Sequence, residues 1–190
     1  MMLRRLNGNQ NNFKKKLDSI LIRRKLIQKN KSSSVQSIIK NVKQNGDKAL
    51  IRFEKKFSNI KIKNKTLKFS KKEINKIIKD IDPKLKNSIN IAFKRIKDFH
   101  KKQKTLPFKL KDKYKNELSY TYTPIESAGV YVPGGTASYP STVLMNCIPA
   151  IVAGVKNIFL TTPALGKNIN SAVIYAAKKC GVKEIYKIGG

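Results

Sequence analysis

Apolar side chains recur at helical spacing through the first part of the chain. Phe13, Leu17, Ile20 and Leu21 lie three or four residues apart and predict one face of a helix. The serine cluster Ser32–Ser34 is placed to cap a second helix, whose stripe is Val35, Ile38, Ile39 and Val42. Gly46 is placed to end it, and Asp47 to cap a third helix with Ala49, Leu50, Phe53 and Phe57 on one face. A short extended piece follows from Ile60 to Phe69, with Ile60, Ile62, Leu67 and Phe69 as its apolar positions. Ser70 and Glu73 have the spacing of a capping box ahead of Ile74, Ile77 and Ile78. Asp82-Pro83 is a helix start, with proline at the first helical position. The stripe Leu85, Ile89, Ala92, Phe93, Ile96 and Phe99 then runs for about four turns. These stripes read as core, with lysines facing outward.

The pattern changes near Leu118. Leu118, Tyr120 and Tyr122 alternate with polar residues, as in a strand. Ala128–Val132 is a second strand, stopped by Pro133-Gly134-Gly135. Ser141 or Thr142 can cap a helix that is apolar nearly all round, through Val143, Leu144, Met145, Ile148, Ile151 and Val152. Pro149 should kink or split it, and Gly154 close it. Residues 157–161 form a short buried strand, and Pro163–Asn168 a loop. Ala172–Ala177 lies in another helix ended by Gly181, and Glu184–Ile188 is a further strand. Strand, helix, strand, helix, strand implies a parallel sheet with right-handed crossovers. The last strand is expected to leave an open sheet edge, and with it poor solubility.

Composition narrows the reading. Among 190 residues, 40% are apolar, enough for a packed core. The formal charge of +31 suggests a polyanion partner at first sight. Only six of the 42 basic residues are arginine, however, the residue suited to bidentate phosphate and base recognition. The lysines travel with asparagine and isoleucine, as compositional drift would place them, so no specific nucleic-acid partner is expected. Residues 118–190 hold six lysines against Glu126 and Glu184, a net of +4, which leaves +27 on residues 1–117. Cys147 and Cys180 sit in apolar contexts and read as buried free thiols of a reducing compartment. No apolar run reaches membrane-spanning length and no secretory leader is recognisable, so the expected location is the cytoplasm and no membrane is involved.

Open parallel sheets bind ligands at the carboxyl ends of their strands. Three such ends are Tyr131–Gly135, Thr161–Pro163 and Gly189–Gly190. At the first, Gly134 and Gly135 would let a ligand approach the backbone. The helix that follows would present free N–H groups at Ser141 and Thr142 to an anion. A tight strand-to-helix turn explains the two glycines equally well, because the G-x-G-x-x-G fingerprint is absent. His100 is the single histidine, beside Phe99 at the edge of an apolar face, and reads as structural. One histidine and no Cys-x-x-Cys pair offer no zinc site.

The run Ser127–Ala137 resembles the most characteristic segment of histidinol dehydrogenases, and the likeness continues in step through residues 139–146, 148–150 and 153–155. Further matches are Gly46–Leu50, Phe53, Phe57, the Ile96–Gln103 stretch, Cys180–Val182 and Gly189-Gly190. The resemblance implies an NAD- and zinc-dependent homodimer that oxidises L-histidinol to L-histidine. It places a cofactor contact on Tyr131, and with less weight Gly134 and Gly135. The family's zinc ligands and its Glu-His pair fall later in the family's chain. No catalytic or metal residue is therefore expected here, and the 190 residues alone are expected to be inactive. The fold expected is α/β: a helix-rich N-terminal region, 1–117, followed by the first half of a Rossmann-like βαβαβ domain, 118–190. A basic nucleic-acid-binding protein or a non-catalytic α/β module is the alternative.

Overall fold

Helix α1 follows its apolar spacing but not all of its expected breaks. It runs Phe13–Ser58 in the computed structural model. The structure describes residues 6–58, 67–134, 139–163 and 169–189, with backbone alone for 20, 21 and 23–33. Residues 32–34 lie inside the helix rather than at a cap. Serine in a helix interior costs only roughly half a kcal/mol, and no Gly or Pro stands nearby to force an end. Gly46 does break the ladder, at φ 51° and ψ −135°, a conformation open to glycine.

Residues 1–50 and 51–190 form separate compact units. In the first, Val35 and Ile39 are exposed, contrary to the core role expected of them. The described residues of this unit are one helix and the turn before it, so they offer no second layer to cover the stripe. The second unit opens with the last turns of α1. Phe57 is exposed there and stacks on Phe53 at 5.8 Å, whereas Glu54 is buried.

Two helices follow with the expected starts. In α2, Lys71–Lys79, Ser70 Oγ accepts the Glu73 N–H at 3.1 Å and Glu73 Oε2 accepts the Ser70 N–H at 2.7 Å. In α3, Pro83–Lys102, Asp82 accepts the Lys84 N–H at 2.7 Å. Ile89 is buried and Ala92, Phe93 and Ile96 pack on the core. The ends of the stripe, Leu85 and Phe99, are exposed instead.

Next come β1, Phe108–Lys111, and β2, Glu117–Tyr120, an antiparallel hairpin pairing Phe108 with Tyr120 and Leu110 with Leu118. The strand at Leu118 was legible, but its partner falls in the stretch read as helical. Lysines at 109 and 111 alternate with Phe108 and Leu110, a period of two that is too short to stand out. The carboxyl of Asp112 builds the turn by accepting the N–H groups of Tyr114 and Asn116.

The remaining elements are β3, Ser127–Tyr131; α4, Pro140–Ala153; β4, Asn157–Thr162; α5, Ser171–Lys179; and β5, Glu184–Lys187. The strands are parallel in the order β3-β4-β5. Val130, Val132, Ile158, Leu160 and Ile185 of the sheet meet Val143, Leu144, Cys147 and Ile148 of α4 and Ala172, Ile174 and Ala176 of α5 in one core. Helices α2 and α3 pack on α5, and α3 also on α4.

Three expectations for this region need correction. Helix α4 starts at Pro140 after Tyr139, two or three residues earlier than a Ser141 or Thr142 cap allows, because proline's missing N–H and fixed φ suit the first position. Pro149 does not split α4, which continues to Gly154 at φ 94°. The buried neighbours Cys147 and Ile148 hold the helix through the loss of one backbone bond. The outer edge of β5 is not left open. Leu67–Phe69 runs beside it: Phe69 donates its N–H to the Ile185 carbonyl at 2.9 Å, and Lys187 donates to Leu67 at 2.7 Å. This pairing removes the ladder groups that would recruit another strand. The rest of the extended piece, residues 60–66, lies outside the described residues.

Candidate functional site

Because β3, β4 and β5 are parallel, their carboxyl ends share one edge of the sheet. Tyr131 closes β3 opposite Thr161. Side chains alternate along a strand, so Val130 and Val132 point into the core and Tyr131 points away from it. Val132 is fully buried, while Tyr131 is 50% exposed. The Val132 N–H donates to the Thr161 carbonyl at 2.9 Å, which prolongs the pairing one step past the strand. A phenol that lies open at a strand's end, on a rigid backbone, is available to a ligand in the crevice beyond it.

Pro163, just after β4, knits the three ends together. A Cβ added at Gly134 would lie 3.1 Å from Pro163 Cβ and Cγ, and one at Gly189 would lie 2.9 Å from Pro163 Cγ. The proline ring thus occupies the space that side chains at both glycines would need. This gives Gly134 a packing role as well as the ligand-facing one expected of it. Gly135 lies outside the described residues.

A further residue joins this edge. Glu54 is only 4% exposed, and its Oε1 accepts the Gly189 N–H at 2.7 Å. Its other oxygen has no hydrogen-bond partner among the described residues. The sequence carried one signal for it: Leu50, Glu54 and Phe57 share helical spacing, so an acidic group interrupts an apolar face.

The first turn of α4 faces the same edge. Tyr139, at its cap, makes no side-chain cap bond. The Thr142 N–H, expected to be free, donates to the Tyr139 carbonyl at 3.0 Å. The Ser141 amide has no preceding helical carbonyl to bond, as for any first-turn N–H.

His100 sits elsewhere. Its Nδ1 is 2.6 Å from Gln103 Oε1. Both line a cleft of about 590 Å³ with Leu106, Tyr122, Pro149 and Val152. Val152 lies in the last turn of α4 and Tyr122 precedes β3, so this cleft opens at the amino edge of the sheet, away from Tyr131. Cys147 and Cys180 are buried free thiols. The hydrogen bond to Cys147, and burial after it, push the Cys180 thiol up. Among the described residues no three His, Cys, Asp or Glu come together as a metal site. No helix among them is long and apolar enough to cross a membrane.

A protein-family model described as histidinol dehydrogenase matches residues 21–190. The histidinol dehydrogenase of Pelagibacter ubique strain HTCC1062 is 50% identical over 189 residues, covering 100% of this chain and 43% of that protein. The histidinol dehydrogenase of Carboxydothermus hydrogenoformans is 42% identical over 168 residues, covering 88% of this chain and 40% of that protein. Among solved structures, the crystal structure of histidinol dehydrogenase from Elizabethkingia anophelis superposes with a TM-score of 0.78 at 38% identity. It covers 84% of this chain and 36% of that one. The chain therefore spans about two-fifths of the length of the curated relatives it matches.

Proposed function

The chain belongs to the histidinol dehydrogenase family, and from that membership we propose that it forms the first cofactor-binding half of a cytoplasmic enzyme oxidising L-histidinol to L-histidine with NAD. The observation that carries this reading is Tyr131, half-exposed at the carboxyl end of β3, the crevice where parallel sheets take nucleotides.

The residues at this edge fit such a cofactor. Tyr131 offers an aromatic face and a hydroxyl, the pair of contacts suited to a flat heterocycle with polar substituents. The first turn of α4, with its Ser141 amide and its dipole, favours an anionic group such as a pyrophosphate. Gly134, packed on Pro163, keeps the backbone of the turn close to the sheet. NAD, when bound, would supply the hydride acceptor for each of the two oxidation steps. The chain's own part is to bind and orient: a rigid strand end holds the ring contact, and the buried core beneath keeps it from moving.

Zinc does not fit the described residues, which bring no three ligating side chains together. A homodimer is part of the same proposal.

The test is an enzyme completed by joining residues 1–190 to the remaining residues of the Pelagibacter ubique relative. NADH formation with L-histidinol and zinc is the expected result. A well-folded product that makes no NADH under conditions where the relative does would overturn the reading. The 190-residue chain assayed alone is expected to form none.

A further inference from the structure

We infer that Glu54 is a positioning residue for the cofactor edge, acting through the backbone of Gly189 rather than by touching the ligand. The inference rests on the reading of that edge as an NAD site. Glu54 reaches the end of β5 from a helix 135 residues earlier in the chain, with its Oε1 2.7 Å from the Gly189 nitrogen. Its side chain is buried, at 4% exposure. A carboxyl group so placed carries a desolvation cost, and one hydrogen bond offsets it only in part while Oε2 has no partner among the described residues. An apolar residue would fill the same space without that burden. Among the described residues, the hydrogen bond of this carboxylate goes to the Gly189 amide, so the side chain serves the backbone just past β5.

What the bond does follows from its place. Gly189 is the second residue past β5, where the chain leaves the sheet. On one side, Gly189 is pressed on Pro163, with no room for a Cβ; on the other, its N–H is tied to Glu54. Pro163 is in turn pressed on Gly134, three residues past Tyr131. Glu54, Gly189, Pro163 and Gly134 thus form a chain of contacts running across all three strand ends. It fixes the backbone of the crevice in the register that Tyr131 requires. Releasing Gly189 would leave the core intact and blur only the cofactor edge.

The experiment uses the completed enzyme with three substitutions. Glu54→Leu fills the space and removes the acceptor, Glu54→Gln keeps Oε1 and its bond, and Tyr131→Ala tests the site itself. Glu54→Leu is expected to raise the KM for NAD by about five-fold or more with kcat nearly unchanged, the signature of lost uniform binding. The KM for L-histidinol and the Tm should stay close to the parent's, and Glu54→Gln should restore the KM for NAD. Amide exchange at Gly189 should be slow in the parent and in Glu54→Gln, and fast in Glu54→Leu. A normal KM for NAD in Glu54→Leu, alongside a raised one in Tyr131→Ala, overturns the role of Glu54 and leaves the site standing. Normal values in both variants overturn the site, and the inference with it. A fall in Tm with proportionate loss of all activity would show Glu54 to be merely structural.

Discussion

Lys187 Nζ lies 2.6 Å from Glu73 Oε1, so the last residue of β5 is paired with the residue that closes the capping box of α2, 114 positions away. Lys187 also stands over the Phe69 ring at 4.7 Å. One cation therefore joins a strand end, a helix start and the segment that covers the sheet edge.

This pairing has a pH signature. The Lys187 ammonium, and then the Ser70 amide, hold the Glu73 carboxyl below its ordinary value of 4.5. A carboxyl depressed by folding adds stability above its unfolded value and loses it as pH falls through the folded one. Glu73 is 46% exposed, so solvent screens much of the effect. Lys187→Met should lower stability to urea at pH 7 by about 1 kcal/mol, combining a screened ion pair with a cation–π contact. The difference between variant and parent should shrink below pH 4.5. A difference that stays constant across that range would assign the effect to packing alone.

The sheet core should be far more sensitive. Leu160 is fully buried at the centre of β4, between β3 and β5. Leu160→Ala removes its contacts and leaves a cavity, at a cost of roughly 2–5 kcal/mol. Chemical denaturation monitored by circular dichroism would measure it, and a loss under about 1 kcal/mol would mean that the site collapses around the gap.

Gly154 closes α4 at φ 94°, with Pro124 Cγ 3.4 Å from where a Cβ would stand. Gly154→Ala should destabilise the chain by about 1 kcal/mol or more, since alanine is strained at this φ. Gly129 is a control, with no atom within 4 Å of an added Cβ. A thermal melt showing equal effects at both positions would contradict the backbone argument.

Tyr131 should matter to binding and little to folding. Tyr131→Ala is expected to raise the KM for NAD in the completed enzyme about ten-fold, the equivalent of about 1.4 kcal/mol. At 50% exposure its loss should change stability by no more than about 0.5 kcal/mol. Tyr131→Phe keeps the ring and should fall between the two. Steady-state kinetics with a parallel melt separate the outcomes, and a large drop in Tm would make the residue structural.

The charge of +31 should produce binding to nucleic acid without selectivity. Filter binding should give affinities that fall steeply with salt and that are alike for unrelated DNA sequences. A sequence preference surviving at physiological salt would revive the nucleic-acid reading.

Local signals were legible wherever a residue's own chemistry decides the backbone. Ser70 with Glu73, Asp82 with Pro83, Gly154 and Gly181 each marked an element boundary. The sequence by itself determined the βαβαβ order and the strand end that carries the candidate site, because periodicity and capping act over a few residues. It did not reveal that Leu67–Phe69 would cover β5, that Phe57 would be exposed while Glu54 is buried, or that Pro163 would fill the space at two glycines. Only the tertiary structure decided these, because each depends on which surfaces meet after the chain closes loops that run from about 25 to well over a hundred residues. Those meetings are set by packing and pairing between segments, and nothing in the local pattern of either segment encodes its partner.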